Sequence, residues 1–283
     1  MVVAKDLVSK DFIKAELSET VSKLIGKFKQ KKGSHAVVFD KKKYVGVISK
    51  IFLLKSRIDP SKMKISNIVK RRSRAKTNFF VPVLSLDSGL KDIAKLMFSS
   101  DVKILPVFDK GKFLGVVNIV DVLKSIRKEY RGVPVESFYS RAPKTVFVNT
   151  PVGEVINLFN KLKFSRVPVV NKNKEFLGML TLGDLVRNFH VWTRASLKLS
   201  SAAQHQGFKR SGYDMGEKSS QVNAPIRTLV SYSPLYSIRP GSSMTEAINT
   251  MAKAGISSVV VVENRRVVGI LTARDILKDY VKS

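Results

Sequence analysis

Two short signals in this sequence could hold a ligand: Thr181-x-x-Asp184 and Thr272-x-x-Asp275, each three residues beyond a glycine, Gly178 or Gly269. A hydroxyl and a carboxylate at that spacing, where a strand runs into a helix, stand beside free backbone N–H groups and the positive end of the helix dipole. Such a junction suits phosphate, and both hydroxyls could donate to it. The carboxylate can accept from a ribose hydroxyl, as acidic residues do in other nucleotide sites. Arg166 and Arg274 lie near the same junctions and could neutralise phosphate, bidentately where geometry allows. A third copy, Gly115 to Asp121, keeps Asp121 but has Asn118 in place of the hydroxyl residue; a fourth, Gly46 to Phe52, keeps Ser49 but ends in Phe52, which cannot accept from a ribose. Every one of these residues also reads as a plain helix cap or strand end, so the pattern alone leaves both roles open.

Covalent chemistry has little to work with. There is no cysteine, and His35, His190 and His205 have no metal-ligand spacing. No Gly-x-x-x-x-Gly-Lys-Ser/Thr loop or His–carboxylate pair at useful spacing is present. The expectation is a protein that is not an enzyme and holds no metal.

Each signal closes a repeated unit, and a repeat fixes architecture before any other feature. The unit cores are HAVVFDKKKYVGVIS (His35 to Ser49), ILPVFDKGKFLGVVN (Ile104 to Asn118), RVPVVNKNKEFLGMLT (Arg166 to Thr181) and SVVVVENRRVVGILT (Ser258 to Thr272). Each reads as strand, helix, strand, strand, helix. In the third, Thr150 is the expected cap of a helix starting at Pro151, with Val155, Ile156, Leu158, Phe159 and Leu162 at helical spacing. In the second, Asp87 is the expected cap and Leu90, Ile93, Ala94 and Met97 the buried stripe; in the first, Ser18 and Val21, Leu24, Ile25 and Phe28.

With four Gly-h-x-Thr/Ser-x-x-Asp heptapeptides in register, the chain resembles the cystathionine-β-synthase (CBS) domains. GMLTLGD (Gly178 to Asp184) and GILTARD (Gly269 to Asp275) match fully; GVVNIVD and GVISKIF match in part. The resemblance implies an α/β (α+β) fold of four β-α-β-β-α repeats, at residues 1–60, 81–130, 144–189 and 233–283. A basic linker (61–80), a second linker (131–143) and a long polar insertion (190–232) separate them. It implies pairing of repeats one with two and three with four into two modules, stacked as a flat disc. It also implies an adenine nucleotide (AMP, ADP or ATP) as regulatory ligand in the clefts between paired repeats. Arg166, Thr181, Asp184, Thr272, Arg274 and Asp275 are then the contacts, with Asn118 and Asp121 a weaker set. The short strands around Val146 to Val148 and Tyr236 to Ile238 would meet the adenine edge. Stand-alone members of the family are sensors and scaffolds.

The second major signal is charge. Of the 283 residues, 51 are Lys or Arg and 22 are Asp or Glu, a net charge of +29. Solubility needs only a net charge of roughly 2 to 8, and self-repulsion at +29 weakens a compact fold unless a polyanion offsets it. Nucleic acid is the first candidate and an anionic membrane surface the second. The cations gather at Lys27, Lys29, Lys31 and Lys32; at Lys41, Lys42 and Lys43; at Lys62, Lys64, Lys70, Arg71, Arg72, Arg74 and Lys76; and at Arg194, Lys198, Lys209 and Arg210. No motif for reading specific DNA sequence is present, whereas Trp192, Phe208 and Tyr213 in a long polar loop could stack on unpaired bases. Ribosomal RNA, or ribosomal subunits, is the favoured partner. The expected function is a nucleotide sensor that binds ribosomes and restrains translation when they are idle. Two other readings stay open: an AMP/ATP-sensing regulatory subunit similar to the γ subunit of the AMP-activated kinase, and a DNA-binding regulator. The acids near the start and the lack of an apolar run of about 18 residues predict a cytoplasmic protein with no membrane association. A homodimer is compatible with the sequence.

Overall fold

The computed structural model describes residues 2–31, 33–55, 62–68, 81–162, 164–188, 223–230, 232 and 236–283. They form four small sheets of one plan. In each, a short leading strand runs parallel to the first strand of a hairpin: Ile13–Glu16 on His35–Asp40, Leu84–Ser85 on Ile104–Asp109, Val146–Phe147 on Arg166–Val170, and Ser237–Ile238 on Ser258–Glu263. Parallel neighbours need a crossover. The helices Val21–Gln30, Leu90–Ser100, Val152–Leu162 and Met244–Ala254 supply it. The return strands Lys43–Ser49, Lys112–Asn118, Phe176–Thr181 and Arg266–Thr272 lead into the closing helices Ile51–Lys55, Ile119–Ile126, Leu182–Arg187 and Ala273–Lys282.

The crossover helices bury the stripes their spacing predicts: Val21, Leu24, Ile25 and Phe28 in the first repeat, Leu90, Ile93, Ala94 and Met97 in the second. Leu162, expected on the third stripe, sits at the last position of its helix and is 40% exposed. Three caps differ from expectation, the third repeat's crossover helix beginning at Val152 with Pro151, not Thr150, in the cap position. Thr20, not Ser18, accepts from the Lys23 N–H at 3.3 Å. The Leu90–Ser100 helix is preceded by Gly89 rather than Asp87 and has no side-chain cap. The reason is local: Ala4 and Lys5 donate their N–H groups to the carbonyls of Ser88 and Leu86, so a neighbouring segment fixes this backbone instead of a side chain.

That contact belongs to an exchange repeated around the molecule, which local sequence pattern does not reveal. The segment before repeat one packs on repeat two: Ala4 is fully buried there, and Ser9 pairs with Val116. The segment after repeat one folds back on repeat one, where the Val21 N–H donates to the Met63 carbonyl and Ile65 and Ile68 are buried. Residues 133–141 pack on repeat four through the Val135 N–H to the Ser242 carbonyl and Ser140–Arg141 pairing on Gly269–Ile270. Residues 224–230 pack on repeat three, burying Ile226 and Val230. The stretch read as a basic linker and the end of the polar insertion therefore both carry core residues. Truncating a buried Ile to Ala typically costs about 2–5 kcal/mol, so Ile65 and Ile226 act as clamps.

The repeats meet in two ways. Sheets of repeats one and two share an apolar seam of Val37, Phe39, Val47, Ile104 and Val116, edged by Phe12, Tyr44 and Phe113. Repeats three and four touch through the Phe176 N–H on the Arg265 carbonyl at 2.7 Å. The two large cores cross between these pairs: one joins repeats one and three, the other repeats two and four. Neither pair therefore has a complete core of its own.

Candidate functional site

A cavity of about 520 Å³ lies where three repeats converge. Repeat four contributes Thr272, Arg274 and Asp275; repeat three contributes Ser165 and Arg166; repeat two contributes Phe98, Asp101 and Lys103. Residues 140–144 form a further wall, with Ala142 held at φ 48°. A non-glycine residue in that region is strained, and such strain gathers where backbone serves a ligand. Gly269 explains the wall's position, and Gly115 repeats the arrangement in repeat two. A Cβ on Gly269 would stand 2.0 Å from the Tyr139 ring, and one on Gly115 would stand 2.5 Å from the Ser9 carbonyl. In repeats two and four the repeated glycine is thus where the exchanged segment lies against the hairpin.

The Thr–Asp pairs are capping boxes. The Thr272 N–H and hydroxyl both donate to Asp275 Oδ2, at 2.9 and 2.6 Å, and the Asp275 N–H donates back to Thr272 Oγ1. Thr181 and Asp184 repeat the arrangement. The hydroxyl protons, expected to face phosphate, are instead committed to the aspartates. The two copies then diverge. Asp275 is half-buried on the cavity wall, and among the described residues its Oδ1 accepts no hydrogen bond. Asp184 is 3% exposed, and Arg187 closes on its Oδ1. Repeat four offers a ligand a carboxylate oxygen; repeat three has spent both on its own helix.

The arginines differ as well. One Arg166 Nη donates to the Ser258 carbonyl at 3.2 Å, while its buried Nε has no partner. Burial lowers its pKa to about 10, against the attraction of Tyr236 and Asp184. Arg274 lies over the Phe98 ring at 4.7 Å and pairs with Asp101 at 2.6 Å, so it ties repeat four to repeat two across the cavity mouth. Asn118 makes no side-chain cap, and Asp121 pairs with Lys124 at 3.2 Å. Phe52 packs against the core of repeats one and three. The strands at Val146–Phe147 and Ser237–Ile238 do not line the cavity; residues 140–144 do.

Sequence reasoning missed two lysines. Lys103 reaches Ser165 Oγ at 3.4 Å, and burial, then Arg166, lowers its pKa to about 8. Lys50 stands 5.0 Å over the Phe28 ring, and burial, then Arg187, lowers it to about 8. Burial and these two lysines hold His35 neutral, at about 3. Lys50 of repeat one and Arg166 of repeat three thus both disfavour the charge on Lys103 of repeat two, and an anion bound beside it would restore that charge. Register could have exposed Lys103, which immediately precedes the first hairpin strand, as Ser165 precedes Arg166.

Of the proposed nucleic-acid contacts, Lys41, Lys42, Lys43, Lys62 and Lys64 are exposed. Lys70, Arg71, Arg72, Arg74, Lys76, Arg194, Lys198, Lys209 and Arg210 lie outside the described residues, as do Trp192, Phe208 and Tyr213. Lys27 and Lys31 serve the fold instead, pairing with Glu19 and Asp11. No helix among the described residues is long and apolar enough to cross a membrane.

Known proteins share this construction. Protein MJ1225 of Methanocaldococcus jannaschii, proposed as an archaeal homologue of γ-AMPK, superposes with a TM-score of 0.74 at 16% identity, covering 99% of this chain and 100% of its own. A conserved Pyrococcus horikoshii protein superposes at 0.60 with 21% identity, again over 99% and 100%. In sequence, protein MJ1404 of M. jannaschii is 22% identical over 281 residues, which is 97% of this chain and 61% of that one. The chain thus spans less than two thirds of that relative. The CBS domain family model matches residues 4–51, 79–128, 135–191 and 227–282, most of the sequence, and the chain belongs to the CBS domain family.

Proposed function

We propose that this protein is a non-enzymatic sensor that binds an adenine nucleotide in the cavity where repeats two, three and four converge. The observation that carries the reading is the buried, unpartnered Nε of Arg166 on the wall that also presents the free oxygen of Asp275. The ribose hydroxyls hydrogen-bond to Asp275, and the backbone of residues 140–144 meets the adenine edge. The phosphates turn toward Arg166 and Lys103, where charge-assisted hydrogen bonds gain strength from the low local dielectric. Ligand phosphate competes with Asp101 for Arg274, so binding is felt in repeat two. Calorimetric titration with AMP, ADP and ATP tests this. Saturable binding that Asp275→Asn weakens at least tenfold, while Asp184→Asn changes it little, is the expected result. Equal effects of the two variants, or no binding, would refute it.

The output we propose is electrostatic. A net charge of +29 on a folded scaffold favours phosphate-backbone contacts that are sequence-independent and salt-sensitive. Ribosomal RNA is the partner this supports, with restraint of translation as the consequence. Gradient sedimentation of lysate at low and high salt tests it. Co-migration with ribosomal particles that weakens with salt is expected; a stoichiometric protein partner, or DNA, would replace the reading.

A further inference from the structure

All four hairpin turns carry a basic residue in the left-handed region: Lys41 at φ 58°, Lys110 at 45°, Lys174 at 62° and Arg265 at 63°. Glycine or asparagine would adopt that backbone more cheaply. In the tight turn at Asn264–Arg265 both central residues are left-handed, where glycine is the favoured second residue and the chain has arginine. A left-handed backbone carried by a basic residue in the turn of every repeat breaks the same local preference four times, which points to a role outside the fold.

The tips are also brought together in pairs. Tyr44 stacks on Phe113 at 5.5 Å and meets Phe108 at 5.2 Å, which sets Lys41, Lys42 and Lys43 beside Lys110 and Lys112. On the other pair, the Phe176 N–H bonds the Arg265 carbonyl and Glu175 pairs with Arg266, which sets Lys172 and Lys174 beside Arg265 and Arg266. All nine side chains are exposed. The seven lysines among them form no ion pair within the described residues, whereas Lys14, Lys23, Lys27 and Lys31 each have an acid. One tip pair carries five cations against Asp40 and Asp109, the other four against Glu175 and Glu263.

We propose that the paired hairpin tips are two phosphodiester-binding poles, one for each pair of repeats, through which the protein grips structured RNA. This rests on the RNA reading above and names its surface. The tips are short and their backbones are fixed by hairpin pairing, which places their cations in two clusters, and two poles on one body engage a backbone at two points, which raises avidity.

The test is fluorescence anisotropy of a labelled short RNA duplex with the full chain, titrated between about 50 and 200 mM salt. One variant combines K41Q, K42Q, K43Q, K110Q and K112Q; a second combines K172Q, K174Q, R265Q and R266Q. A control removes five exposed helix charges elsewhere: K91Q, K95Q, K161Q, K253Q and K278Q. Each phosphate that a variant no longer neutralises lowers the salt slope by about 0.9 and, near 0.1 M salt, weakens binding by nearly tenfold. With about two phosphates per pole left without a partner, either tip variant should bind about a hundredfold more weakly with a flatter slope, and the control should change by less than about tenfold. Thermal melting of each variant confirms that it folds. If the control weakens binding as much as the tip variants, or the tip variants bind like the parent, the poles are refuted and the RNA reading stands. If the parent binds phosphatidylserine vesicles but not RNA, the RNA reading falls first and the poles with it.

Discussion

Replacing Lys103 by Met should stabilise the ligand-free protein and weaken its nucleotide binding, two effects of opposite sign from one side chain. Burial and Arg166 bring this lysine from 10.5 to about 8. At about 1.4 kcal/mol per tenfold, that is roughly 3 kcal/mol against the charged form at neutral pH. Methionine keeps the stem's packing and gives up only a long hydrogen bond to Ser165, 3.4 Å away. Relaxation and water at the cavity mouth reduce the gain to about 1–2 kcal/mol, or roughly 2–8 °C in Tm for a chain of this size. Nucleotide affinity should fall about tenfold or more, since a charge-assisted hydrogen bond to phosphate is worth about 1.5–3 kcal/mol. Calorimetric melting and titration at pH 7 measure both. A variant less stable than the parent would show that Lys103 is held by a partner in the fold, and unchanged affinity would show that phosphate does not reach it.

The pH dependence follows from the same groups. Lys103 and Lys50, with folded values near 8, bind fewer protons in the folded chain than in the unfolded one between about pH 8 and 10.5. Stability of the ligand-free protein therefore rises with pH across that window, while nucleotide affinity falls as pH climbs through 8; a melting series with and without ligand should show the two trends diverging. Gly269→Ala, with its Cβ 2.0 Å from the Tyr139 ring, should cost more than about 2 kcal/mol in chemical denaturation and displace the 140–144 wall, abolishing nucleotide binding. Lys41→Gly, Lys174→Gly and Arg265→Gly relieve a left-handed backbone, so each should raise stability by about 0.5 kcal/mol while lowering RNA affinity, read by melting and anisotropy. Asp184→Asn removes the partner of Arg187 and should lower Tm more than Asp275→Asn does.

Much of this was legible in the residues. Four copies of a hairpin with a glycine inside its return strand, each followed by a helix, fix the repeat, because strand alternation, turn chemistry and helical spacing are local properties that one stretch of chain can carry. The stripes of Val21 to Phe28 and Leu90 to Met97 are of this kind, as are the Thr–Asp capping boxes. What the sequence could not say is which copy is open. Thr181–Asp184 and Thr272–Asp275 match the same motif, yet Arg187 closes one while the other faces a cavity. That difference lies in where side chains from separate repeats fall. Lys103 acquires its meaning from Arg166, far along the chain, and Ile65 reads as part of a basic linker until it is seen buried under repeat one. Local spacing determined the elements and the motif, whereas burial and charge proximity, which depend on long-range packing, decided which copy presents a carboxylate oxygen to a cavity.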